Sequence, residues 1–103
     1  MADIEKARRE LVGRLVGGGG RASRELRAAA FRDERQALPE PMRGLAEKVV
    51  TRASEVRDQD IGAVRAAGLT EDEIFELVVC LAVGETNREY EAALAALDAA
   101  EKG

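Results

Sequence analysis

The sequence predicts an all-α domain of about five helices, and three observations carry that prediction. Apolar residues recur at three- and four-residue spacings through most of the chain, the period of a helix face. No stretch alternates apolar and polar residues as a half-buried strand does. The interruptions fall at Gly and Pro, next to residues suited to capping helix ends.

Taken in order, Ile4, Ala7, Leu11, Val12, Leu15 and Val16 predict an amphipathic helix over about residues 3–16. Gly17-Gly18-Gly19-Gly20 ends it. A phosphate-cradling loop needs a preceding strand and a Gly-Lys-Ser/Thr continuation, and neither is present, so the glycines read as a flexible hinge or linker. Ser23 is suited to cap a second helix running to about Ala37, with Leu26, Ala29, Ala30 and Phe31 inward. Pro39-Glu40-Pro41 breaks the pattern and places the next start at Pro41 or Met42. Met42, Leu45, Ala46, Val49, Val50 and Ala53 form one stripe of that third helix, which ends near Glu55.

Asp58 reads as the cap of a short fourth helix whose Ile61 and Val64 point inward and which stops at Gly68. Thr70 and Glu73 have capping-box spacing, and the acidic first turn Glu71-Asp72-Glu73 complements the dipole of the helix that follows. From Ile74 to Val83 that helix is apolar nearly all round, so it belongs in the middle of a domain or between subunits. It runs to about Ala99, with a bend expected at Gly84 and with Tyr90, Leu94 and Leu97 on one side. The organisation is a single domain over 1–103, with a helix and Gly linker over 1–20 and a helical core over 21–103.

Composition narrows the chemistry. With 103 residues and only Phe31, Phe75 and Tyr90 as aromatics, the core is built from Leu, Val, Ile and Ala, and self-association is the natural way to add buried surface. The single cysteine allows no intramolecular disulfide, and the absence of His removes the commonest general base and metal ligand. No metal and no cofactor are expected. The longest apolar run, Leu77 to Val83, falls far short of the ~20 residues that span a bilayer. With no secretory pattern at the N-terminus, the expected setting is cytoplasmic, away from any membrane.

The net charge of −4 is unevenly spread, with an excess of basic residues over 1–52 and of acidic residues over 53–103. The two halves are expected to pack near each other, within or between chains. Nucleic acid is not an expected partner. An acidic protein repels phosphate at long range, and the helix after Gly68 offers Glu71, Asp72 and Glu73 where a recognition helix needs groups that meet bases and phosphates.

Val56-Arg57-Asp58-Gln59-Asp60-Ile61 and the segment Val64 to Val78, with Leu38-Pro39-Glu40-Pro41 upstream, resemble the alkylhydroperoxidase (AhpD)-like and carboxymuconolactone decarboxylase-like superfamily. The similarity extends over about residues 11–97. It implies an AhpD-like helical bundle and a homo-oligomer. Peroxidase members of that family use a Cys-x-x-Cys pair and a following His, at places that fall at about Ala53, Val56 and Asp60 here. Dithiol cycling needs both an attacking and a resolving thiol, so its absence implies a degenerate branch.

The candidate residues each have two readings. Cys80 is either a core cysteine made inert by apolar surroundings or a reactive or intersubunit thiol. Asp58 and Asp60 are either helix-start residues or a carboxylate pair for acid–base work. Glu76 is either a structural residue, paired with Arg88 or a basic residue of the N-terminal half or else simply exposed, or a functional carboxylate. Arg88 and Tyr90 are either surface or interface residues or groups that hold a small anionic ligand. The expected function is a non-catalytic homo-oligomeric assembly module, or one binding a small ligand or protein partner. The alternative is a carboxylate-dependent lyase or isomerase acting on a small anionic substrate at a subunit interface.

Overall fold

The computed structural model describes residues 2–102, which form five α-helices and no strand. They are α1 (Ala2–Gly17), α2 (Arg24–Phe31), α3 (Glu40–Arg52), α4 (Asp58–Ala66) and α5 (Glu71–Lys102), with single 3-10 turns at Arg35–Ala37 and Ala53–Glu55. The molecule measures 51 × 28 × 21 Å. The 32 residues of α5 account for its long axis, since a helix of that length is about 48 Å long.

α5 is the spine on which α1, α2, α3 and α4 all pack, with α2 its principal partner. Ile74, Leu77, Cys80 and Leu81 form its buried face, against Ala29 and Ala30 of α2 and Met42, Leu45 and Ala46 of α3. Alanines on α2 bring its backbone close to α5. Gly84 completes that approach: a Cβ there would overlap the Phe31 carbonyl. α5 is one uninterrupted helix through this point, so Gly84 serves helix packing.

The predicted caps form. Ser23 Oγ accepts from Leu26 N at 3.2 Å at the start of α2. Thr70 Oγ1 accepts from Glu73 N at 3.1 Å, and Glu73 Oε1 accepts from Thr70 N at 2.9 Å, closing the capping box before α5. Gly68 sits at φ 111°, the left-handed conformation a side chain resists, and so separates α4 from α5.

Three expectations are corrected. α2 stops at Phe31, six residues before the expected end at Ala37. Asp33 adopts φ 57°, and Glu34 N reaches Ala29 O at 2.8 Å while Asp33 N reaches Ala30 O at 3.1 Å. That is the reversal with which helices commonly end, here with Asp where Gly is usual. The cap of α4 is Arg57, with Asp58 its first helical residue; the side-chain bond comes from Asp60, whose Oδ2 accepts from Arg57 N at 2.8 Å. Ala53 lies outside the buried stripe and is exposed.

The predicted all-round burial of α5 is met only in part. Between Ile74 and Val83 its inner face is closed, but Phe75 is 70% exposed and Ala82 is exposed, while Val78, Val79 and Val83 are half-buried. Among the described residues no helix is long and apolar enough to cross a membrane.

Candidate functional site

The candidate residues fall in three separate places. The first lies where the tetraglycine linker crosses α5. Glu76, in the second turn of that helix, points its carboxylate at the chain entering α2. Its oxygens accept from Arg21 N at 2.8 and 2.7 Å and from Ala22 N at 3.1 Å. Gly20 lies directly against that carboxylate, so a side chain there would displace it from its present position. The partner of Glu76 is thus backbone from the basic half of the chain, in place of the arginine expected. The linker, expected to be a flexible hinge, is pinned at its far end.

Arg27 of α2, which sequence reasoning missed, closes the same corner from below. It is 4% exposed, and its Nη1 donates to Leu15 O at 3.1 Å near the C-terminal end of α1, where a cation complements the helix dipole. Its Nε is buried with no partner. Nothing in the sequence marks it off from the other arginines, because its burial comes from α1 folding back over α2.

Cys80 is one turn beyond Glu76 and fully buried. Burial pushes its thiol up; the positive charge of Arg27 opposes that shift and Glu76 reinforces it. A protonated, enclosed thiol is a poor nucleophile. Glu76 and Arg27 together make a clasp that ties α1 and the linker to the α2–α5 pair.

The second place is the start of α4. The Asp60 carboxylate accepts from Arg57 N and from Lys48 Nζ, the latter at 3.0 Å to both oxygens. The backbone bond first and the lysine second hold its carboxyl below the usual range. Asp58 is exposed on the first turn. The two carboxylates lie close in sequence, but one is fully engaged and no enclosed cavity separates them from water.

The third place is the middle of α5. Arg88 Nη1 donates to Phe31 O at 2.6 Å, and Nη2 donates to Glu85 Oε2 at 3.0 Å. Its first bond takes up the last carbonyl of α2. Tyr90 lies on another side of α5, under the guanidinium of Arg8 from α1, 4.9 Å from the ring centroid. Arg8 also donates to Asn87 and, at 3.5 Å, to Glu91.

Tyr90 also borders an apolar groove between α1 and α5, of about 240 Å³, lined by Ile4, Leu11, Val12, Val83 and Thr86. A larger, shallow hollow of about 670 Å³ at the α4–α5 corner is lined by Gly62, Arg65, Thr70 and Asp72 and touches none of the candidate residues. Among the described residues no three Cys, Asp or Glu side chains converge as metal ligands.

No protein-family model, curated protein or solved structure matches this chain. The functional reading therefore rests on the geometry above.

Proposed function

We propose that the protein is a non-catalytic, self-associating assembly module of the cytoplasm, a degenerate AhpD-like chain whose helical core serves to display an interface. The observation that carries this reading is the apolar surface left open on α1 and the far half of α5: Leu97 is 61% exposed, Ile4 54% and Leu11 50%. Large apolar side chains grouped along one helix pair are a common mark of a contact surface. The titratable candidates support the same reading, because Asp60 and Arg88 are each occupied in joining one helix to another and Glu76 in joining the linker to α5.

A lyase or isomerase would need a base and an anion-holding arginine facing one cavity. Arg88 is taken up by Phe31 O and Glu85, and Asp60 and Glu76 belong to different corners of the fold. The test is native mass by light scattering, with and without reductant. The expected result is a closed oligomer of one size, insensitive to reductant because Cys80 is enclosed. A chain that stays monomeric at high micromolar concentration would overturn the proposal.

A further inference from the structure

Residues 91–102 of α5 are exposed, Leu94 alone being half-buried, and Glu91 meets Arg8 of α1. They span about 18 Å of helix. A helical end of that length gains little from its own backbone bonds in water and needs a face to pack on. At 100° per residue, Val83, Thr86, Asn87, Tyr90, Leu94 and Leu97 all lie on one side of α5. The first four of these border the α1–α5 groove. Groove wall and tail are therefore one continuous stripe, and its 83-87-90-94-97 spacing alternates four and three residues as a helix–helix seam does.

We propose that the tail of α5 docks into the α1–α5 groove of a second copy of this chain, each copy giving one tail and receiving one. The inference rests on the self-association reading and names the surface that performs it. The two α5 helices cross antiparallel, with the twofold axis near Tyr90. That register sets Leu94 beside the other copy's Thr86, and Leu97 beside its Val83 and Leu11. Such an exchange is isologous and closes at two copies.

Charge complementarity favours a second copy as the occupant. The chain through α1 and the linker runs opposite to α5, since Arg8 meets Asn87 and Glu91 whereas Arg21, beyond the end of α1, meets Glu76. Arg14 is exposed one turn after Leu11 on α1, and Glu101 is exposed one turn after Leu97 on the tail stripe. Neither is in an ion pair among the described residues, although Arg8–Glu91 and Asp98–Lys102 are. In the antiparallel register the acidic tail end of one copy reaches α1 of the other, pairing Glu101 with Arg14 twice per dimer.

Sedimentation velocity on the full chain tests this with five variants: Leu97→Glu, Phe75→Glu, Arg14→Glu, Glu101→Arg, and the last two combined. Wild type is expected to be a dimer. Leu97→Glu is expected to sediment as a monomer with its helical circular dichroism kept, because Leu97 is already 61% exposed within one chain. Phe75→Glu should remain dimeric. Each single charge reversal should raise the dimer Kd by about tenfold, given two exposed pairs per dimer, and the double reversal should restore it. A dimer that survives Leu97→Glu, or that Phe75→Glu dissociates instead, overturns the tail-in-groove contact while leaving self-association standing. A trimer overturns it as well, because an isologous exchange closes at two. A monomeric wild type overturns both proposals.

Discussion

The carboxylate of Glu76 receives the backbone N–H groups of Arg21 and Ala22, 55 and 54 residues earlier in the chain, and so fixes where the glycine linker meets α5. Hydrogen bonds to an ionised acceptor contribute about 1.5–3 kcal/mol each when the partner is otherwise buried, and less at a part-exposed site such as this. Glu76→Gln keeps one acceptor oxygen and loses the charge, so a loss of about 1–2 kcal/mol is expected. Urea unfolding followed by circular dichroism measures it. The same variant should speed amide exchange of Arg21 and Ala22 more than that of Leu77.

The Phe31 carbonyl is the second junction, lying over Gly84 and accepting from Arg88. Gly84→Ala must push α2 off the spine, and overpacking of this kind costs about 1–3 kcal/mol. Gly44→Ala, in the interior of α3 with nothing within 4 Å of the new methyl group, should instead stabilise by about 0.5–1 kcal/mol. Thermal melts of the two variants should move in opposite directions. A gain from Gly84→Ala would mean that α2 and α5 do not approach as described.

Asp60 gives an acid-side prediction. Its folded carboxyl titrates below the unfolded value of about 3.9, held there by Arg57 N–H and Lys48. The stability it contributes is therefore complete above that value and is lost as pH falls through the lower folded one. Asp60→Asn should lower stability at pH 7 and flatten the pH dependence below about pH 4. Lys48→Met should produce a smaller change of the same sign, since the backbone bond remains. Unfolding midpoints collected between pH 2 and pH 7 would show both effects.

Cys80 should react slowly with thiol reagents in the native protein. Its side chain is enclosed and its thiol is pushed up by burial, so modification requires opening of the core. Labelling at pH 8 is expected to run at least about a hundredfold slower than in denaturant. Rapid labelling of the folded chain would show that the clasp over α5 opens readily.

The helical class, the boundary at Gly68 and the caps at Ser23 and Thr70 were legible because each is written in local chemistry: a hydroxyl before a helix, a carboxylate three residues on, a glycine where φ is positive. The end of α2 was not. Arg32-Asp33-Glu34-Arg35-Gln36-Ala37 are acceptable helix residues, and the stop is enforced by Asp33 in the left-handed region with Arg35 bonded to its carboxylate at 2.8 Å. Glu76 was recognised as needing a partner, but that partner was backbone from the linker, and backbone donors carry no sequence signature. Arg27 was invisible for the same reason: its burial is a property of α1 folding over α2. The sequence groups Tyr90 only with Leu94 and Leu97 on one side of α5, because its neighbour Arg8 lies at the other end of the chain.

The position of the spine in the chain has a consequence for biosynthesis. α1, α2, α3 and α4 leave the ribosome before the helix on which all of them pack. At about 5–20 residues per second, the 32 residues of α5 take roughly 2–6 s to be made. During that interval the alanines of α2 and the stripe Met42, Leu45 and Ala46 have no surface to cover them. The fold is therefore completed late, when α5 emerges, and the earlier helices depend on being held or kept soluble until then.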